Sequence, residues 1–510
     1  MYFVTDEAML EHRNSWEEFH IENPDRLRVI VKQLKDKDLI AKSKIIPSRL
    51  ASVDEVAVVH TRDYIDKIKN VCSKDIDAIE SYCKTIEDMY LNEASYDAAL
   101  LSAGCAIDAT LKAFVEKSVA FAAIRPPGHH AFPDAPCGFC VFNNVAIAAK
   151  HAIRAGAQRV LIVDWDVHAG QGTQECIEGD ERIRLVSSHR YEEGRFWPNL
   201  EQSAVTHKFA QTINVPLNST GEGDDAFVAI FHLVVLPLIA DFRPDLIIVS
   251  CGFDAAIGDP EGDMRVSPHG YARLTRLLMS TGIPLSVILE GGYFLPSVAL
   301  DAEFVVRALL GEDLPIIQPK PFLSPTLKDT IHRIHAAAGP DTPTLQALHY
   351  LTKKAGICAG DAAEKPEYTG KRNVPDEWAT RGIYTRMSRE MEIKYLGEVA
   401  AAMGLYERTK DVEKTVNIST STSLLSSTPV FAIEDDGEGT TRFKCTKGLQ
   451  ALVVTTIASY LAPSFAWGRS ASSGASPSTS ELDLVFEHLQ TLADKVEWKC
   501  APLLQLIARD

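Results

Sequence analysis

Val160-Leu161-Ile162-Val163-Asp164-Trp165-Asp166-Val167-His168 is the stretch that decides the fold. A β-branched, apolar run ends abruptly in Asp-x-Asp-x-His, as a buried parallel strand reads when it delivers polar groups from its carboxyl end. In an open α/β sheet, the crevice beyond such ends is where ligands bind. Residues two apart on an extended chain face the same side, so Asp164, Asp166 and His168 can converge on one point. Two carboxylates and an imidazole suit a divalent metal; the bland reading is a strand end followed by a polar turn.

The same pattern recurs on both sides of this stretch. Val119 to Ile124 is a short apolar strand followed by Arg125-Pro126-Pro127-Gly128-His129-His130. Leu246 to Ser250 ends in Cys251-Gly252-Phe253-Asp254, and Leu285 to Leu289 in Glu290-Gly291-Gly292-Tyr293. Helical spacing over Asn144 to Gly156, Ala226 to Phe242 and His269 to Ser280 separates these strands. Strands alternating with helices predict a parallel sheet covered on both faces. Four strand ends that all carry metal-binding or acid/base groups argue against decoration. The segment up to about Lys117 reads as mainly helical, with helices over Asp25 to Leu39 and Ala94 to Phe114, and the residues between His168 and Asn214 read as turn-rich.

The chain has 510 residues, enough for about three domains, and its apolar and charged fractions of 46% and 24% are those of a globular protein. A net charge of −17 argues against general nucleic-acid binding and is compatible with cationic substrates. The N-terminus has neither the basic region nor the apolar core of a signal peptide, so its ten cysteines are expected reduced, in the cytoplasm or nucleus. No uninterrupted apolar segment reaches the roughly 18 residues of a membrane helix. Leu314 to Pro325 is Pro-rich and marks a boundary, giving a first domain over 1–313 and a mainly helical region over 314–467. Helix candidates there are Thr326–Ala338 and Met387–Met403. A Gly/Ser-rich linker over 468–480 precedes an amphipathic helix over 481–510, which should dock somewhere.

Together with Cys137-Gly138-Phe139-Cys140 and Asn143-Asn144, these motifs resemble the zinc-dependent deacetylases. His189-Arg190-Tyr191-Glu192-Glu193-Gly194-Arg195-Phe196-Trp197-Pro198 resembles the class IIb branch. The resemblance covers about the first three-fifths of the chain and implies an arginase-like, doubly wound α/β sheet. It implies one catalytic zinc on Asp166, His168 and Asp254, and a structural monovalent cation; the O/N ligand set alone admits other first-row metals. By resemblance His130 is the general base and acid, His129 its electrostatic partner, and Asp164 the carboxylate orienting His129. Tyr293 is implied as the oxyanion donor, with Phe139, Gly138 and Trp197 along the substrate channel. Cys137-x-x-Cys140 has no second cysteine pair nearby and reads as structural.

The substrate reading turns on Gly258-Asp259-Pro260-Glu261-Gly262-Asp263. Glu261 resembles the gatekeeper of the polyamine deacetylases, where a carboxylate favours a slender substrate bearing a second ammonium, such as N8-acetylspermidine. Glu87-Asp88 falls where the family places an acidic contact to substrate. Three departures stand against this. Glu17-Glu18-Phe19-His20 lacks the Pro and Cys of the insert that narrows the polyamine site. His168-Ala169-Gly170 replaces the usual His-His-Gly, and Gln171 stands where some relatives put an Asp behind the second histidine. The sequence thus points first to an acetyl-polyamine deacetylase, then to a deacetylase of acetyl-lysine in proteins. A third reading, of another class, is a weakly active scaffold recruiting protein partners through its C-terminal region.

Overall fold

The computed structural model describes residues 1–17, 19–314, 323–346 and 348, and the backbone of Phe431–Asp435 and Thr441–Cys445. Eight strands form one sheet: β1 (Tyr2–Val4), β2 (Lys44–Ile45), β3 (Val119–Ala122), β4 (Val160–Asp164), β5 (Ile183–Arg190), β6 (Thr212–Leu217), β7 (Leu246–Cys251) and β8 (Leu285–Leu289). Their order is β2-β1-β3-β8-β7-β4-β5-β6, and every pairing is parallel. The central strands β4, β7 and β8 are buried at every residue, which is why they read as continuous Val/Ile/Leu runs. The helices Ser95–Val115 and Asn144–Arg154 pack together, and Asp25–Asp36, Leu295–Leu309 and Pro268–Met279 form a second packed group.

This order brings the site together. β3, β8, β7 and β4 are lateral neighbours although they span residues 119 to 289 of the chain. At about 4.8 Å per strand, their four carboxyl ends lie within roughly 15 Å of one another. The ends are also level: Asp164 is in register with Ser250, and Ser250 with Ile288.

Several expectations are corrected. β1 and β2 lie in the segment that reads as helical; with three and two residues they are too short to show a period. β5 lies where the sequence reads as turns. Its first half, Ile183-Arg184-Leu185-Val186, is mostly apolar, but Ser187, Ser188, His189 and Arg190 are polar and still buried, so the alternation is hidden. β6 holds Pro216, which is tolerated because β6 is an edge strand. The helix over Asp224–Phe242 contains a π-helical turn at Phe231–Val235, just before Pro237. No apolar run is uninterrupted over 18 residues, yet two helices, Ser95–Val115 and Asp224–Phe242, are by length and composition apolar enough to cross a membrane. They flank the sheet with 72% and 89% of the apolar window buried inside the protein.

The expected boundary after 313 does not end the core. The helix Pro325–Ala337, capped by Ser324, contributes Leu327, Ile331 and Ile334 to the same core as the sheet, joined by Leu345 and Leu348. Thr330 Oγ1 donates to Pro216 O on the edge strand at 2.9 Å, and Thr344 N to Asp241 Oδ2 at 3.0 Å. A Pro-rich stretch marks a break between elements; it does not say whether the chain returns to the same core. Phe431–Asp435 and Thr441–Cys445 form an antiparallel strand pair where helix is expected. The alternating Phe431-Ala432-Ile433 and the Asp436-Gly437 between the strands are hairpin signals outweighed by the helical reading. Met387–Met403, the linker and the terminal helix lie outside the described residues.

Candidate active site

Asp166 and His168 leave the end of β4, Asp254 the end of β7, His129 and His130 the loop after β3, and Tyr293 the loop after β8. One group, Asp166, His168 and Asp254, offers ligand atoms all within 4.8 Å of one another; His129, His130 and Asp166 form a second such group. All five residues are buried. Backbone N–H groups brace both carboxylates. Val167 N donates to Asp254 Oδ1 at 2.7 Å, and Gly291 N to Asp166 Oδ2 at 3.0 Å. Asp254 Oδ2 is buried and makes no well-formed hydrogen bond, although His168 Nδ1 lies 3.3 Å away.

These residues fit a divalent cation. An orphaned carboxylate oxygen faces an imidazole nitrogen that is itself 3.1 Å from Asp166 Oδ1. Burial opposes a proton on His168, yet Asp166 and Asp254 outweigh it and hold the pKa well above the ordinary range. The field that keeps that proton is the field that would hold a metal ion. Gly291 is required here, since a Cβ on it would stand 2.2 Å from Asp254 Oδ2 and 2.6 Å from Asp166 Oδ2.

Asp164 lies in neither group. Its Oδ2 accepts from His129 Nδ1 at 3.0 Å and its Oδ1 from Asp166 N at 3.1 Å. Burial pulls His129 down, but Asp166 and Asp164 outweigh it and push it up to about 10. His130 behaves oppositely: burial, then the charges of His129 and His168, hold it well below its usual range. Its Nδ1 donates to Gln171 Oε1 at 2.8 Å, while Gln171 Nε2 points to Cys137 Sγ. That leaves Nε2 of His130 as the basic nitrogen. The two rings lie 3.8 Å apart, with their pKa values pushed in opposite directions.

Aromatic groups frame the site. Trp197 stands edge-on to His130 at 4.6 Å and to His168 at 5.6 Å, and Phe139 edge-on to Tyr293 at 6.0 Å. Gly138 lies beneath them with φ +50°; a Cβ there would be 2.6 Å from Trp197 and 2.7 Å from His130. Cys137 and Cys140 exchange backbone hydrogen bonds in a tight turn and are free thiols. Glu87 and Asp88 are exposed, and their carbonyls receive the N–H groups of Gly138 and Phe139. Partial burial and Glu87 push Asp88 up, while His168 and His20 pull it down, so Asp88 is the member of the pair within reach of the site's field. Glu261 is half-buried, with its N–H bonded to Asp259. His20 packs edge-on against Phe139 at 5.0 Å, and Phe19 beside it is 59% exposed.

Sequence reasoning missed the supports behind these groups. Glu290 Oε2 accepts from Gly128 N at 2.6 Å and His129 N at 3.2 Å, fixing the histidine loop from the neighbouring strand. Arg26 donates to Gly292 O at 2.6 Å and Glu290 O at 2.5 Å, and its guanidinium lies 5.0 Å from the Tyr293 ring centre. Arg26 is paired with Glu22, which also takes both arms of Arg125. The pairings cross as many as 266 residues, and local pattern cannot register them.

A comparison with family models matches residues 20–309 to the histone deacetylase domain. A polyamine deacetylase, HDAC10 of Danio rerio, is 39% identical over 326 residues, 62% of this chain and 48% of that protein. Histone deacetylase 15 of Arabidopsis thaliana is 40% identical over 320 residues, 60% of this chain and 56% of that protein. The chain therefore spans about half the length of these curated relatives. Among solved structures, the HDA15 HD domain superposes with a TM-score of 0.62 at 35% identity, covering 69% of this chain and 98% of that one.

Proposed function

The chain belongs to the histone deacetylase family, and from that premise we propose that it is a zinc-dependent amidohydrolase acting on acetylated polyamines. Asp166, His168 and Asp254 would hold the ion. Zinc, when bound, supplies Lewis acidity toward the amide carbonyl and lowers the pKa of water. His130 takes a proton from the attacking water at Nε2, because Nδ1 is committed to Gln171. The same nitrogen returns that proton to the nitrogen of the leaving amine. His129, held by Asp164, keeps a positive charge beside His130 and favours the developing negative charge. Tyr293 donates its hydroxyl hydrogen to the oxygen where that charge grows. Phe139 and Trp197 offer flat faces to an aliphatic or cationic stem. Removing one ligand carboxylate tests the metal assignment: Asp254→Ala is expected to lose bound zinc, read by elemental analysis after dialysis. Retention of a full zinc ion would sink the ligand set.

Unneutralised acid near the site carries the choice of substrate. Among the described residues, Glu261, Glu87 and Asp88 have no hydrogen-bonding or ion-pair partner on their carboxylates. A substrate bearing an ammonium group supplies that partner; a peptide backbone does not. The test is kcat/KM on N8-acetylspermidine against an acetyl-lysine peptide. Wild type is expected to prefer the polyamine, and Glu261→Leu to lower that preference about ten- to hundredfold, the worth of one charged hydrogen bond. A preference for peptide that ignores Glu261→Leu would overturn the reading. The second reading, acetyl-lysine in proteins, is favoured by exposed Phe19 and by the histone deacetylase name of the Arabidopsis relative.

A further inference from the structure

Asp259 belongs to neither metal group, yet its carboxylate is fully buried and joins two loops of the site. Oδ2 accepts from the N–H of Tyr293 at 2.6 Å and of Phe294 at 3.1 Å, and Oδ1 from the N–H of Glu261 at 3.0 Å. The Tyr293 loop needs such a support. It follows Gly291-Gly292, with Gly292 at φ +110°, and it leads into the helix Leu295–Leu309, which has no side-chain cap of its own. The Gly292–Tyr293 peptide unit is held from both sides: Arg26 takes its carbonyl and Asp259 its N–H. The same carboxylate anchors the start of the Glu261 turn.

We infer that Asp259 is a positioning residue that sets Tyr293 for the oxyanion and holds Glu261 in the same frame. Through this one carboxylate, catalysis and substrate choice are coupled. The inference rests on the deacetylase reading above. It makes a prediction that simple loss of folding does not. A trifluoroacetamide has an electron-poor carbonyl and relies less on a hydrogen bond to its oxyanion than an acetamide does. Displacing Tyr293 should therefore slow the two acyl groups unequally, whereas a smaller fraction of folded enzyme slows both alike.

The experiment uses the zinc-loaded full chain with acetyl and trifluoroacetyl forms of the same amines. Asp259→Ala is expected to lower kcat on the acetamide about 10- to 100-fold, up to the lower edge of the roughly 10²- to 10³-fold loss for removing an oxyanion donor outright, and on the trifluoroacetamide less than about fivefold. Asp259→Asn keeps one acceptor oxygen, which serves the Tyr293 and Phe294 pair, and turns its amide against Glu261 N. It is expected to hold acetamide kcat within about fivefold of wild type while the preference for polyamine over peptide falls. In a Tyr293→Phe background, Asp259→Ala should add little. Equal losses on both acyl groups, or full additivity with Tyr293→Phe, would overturn the inference while leaving the deacetylase reading intact. No turnover by wild type on any of these amides overturns both.

Discussion

His130→Ala is expected to lower kcat by about 10²- to 10⁴-fold, the range for a lost general acid–base group, with zinc content and thermal midpoint close to wild type. Three features make this residue the base. Its Nδ1 is hydrogen-bonded to Gln171, so its proton-accepting nitrogen is Nε2. Its ring is locked between His129 and Trp197, at 3.8 and 4.6 Å. Burial, then His129 beside it, holds its pKa well below the usual imidazole range and leaves it able to accept a proton. His129 also has its Nδ1 committed, but to a carboxylate, and Asp166 and Asp164 push its pKa up rather than down. His129→Ala should therefore cost less than His130→Ala in steady-state kcat at saturating substrate. A His130→Ala loss of under about threefold would remove the residue from the proton-transfer role, since even a modest general base contributes more than that.

β4, β7 and β8 are legible because a strand buried on both faces has a nearly continuous apolar sequence. The polar residues just beyond such strands are legible because nothing else places Asp, His and Tyr there repeatedly. β5 is not legible, since Ser187 to Arg190 are buried by neighbours that arrive from elsewhere in the chain. Asp164 and Asp166 look alike in sequence, two residues apart on one strand end. Residue chemistry does not separate them; the family resemblance does, and His129, from the loop after β3, stands beside Asp164. Asp259 and Glu290 are more hidden still. Each carboxylate acts on backbone N–H groups, and backbone carries no sequence signal. The gatekeeper turn offers Glu261 to inspection, but the residue that binds that turn to Tyr293 looks like an ordinary Asp before Pro.

Glu22→Ala is expected to destabilise the protein by about 3–5 kcal/mol, the usual consequence of stranding a buried charge. Glu22, Arg26 and Arg125 are all fully buried. Glu22 Oε2 accepts from Arg125 Nη2 at 2.7 Å and Oε1 from Arg26 Nη1 at 2.8 Å, and the Tyr90 hydroxyl donates to the same carboxylate. Burial would raise the Glu22 pKa, but Arg125 and Arg26 outweigh it and hold it well below the ordinary carboxylate range. A depressed folded pKa means the stabilisation is complete above the unfolded value near 4.5 and is lost only as pH falls through the folded value. The ion pairs are thus intact at neutral pH, and removing the one acid leaves two buried guanidinium groups without their shared carboxylate. The measurement is the urea midpoint of zinc-loaded wild type and variant at constant zinc. Glu22→Gln, which keeps shape and one acceptor, provides a folded comparison if the alanine variant fails to accumulate, and it should lie between the two. A change below about 1 kcal/mol would mean that these charges are solvated, a value typical of exposed ion pairs. Activity should fall alongside stability. Arg26 Nη1 loses the carboxylate that steadies the guanidinium, whose Nε and Nη2 hold the carbonyls of Gly292 and Glu290 beside Tyr293.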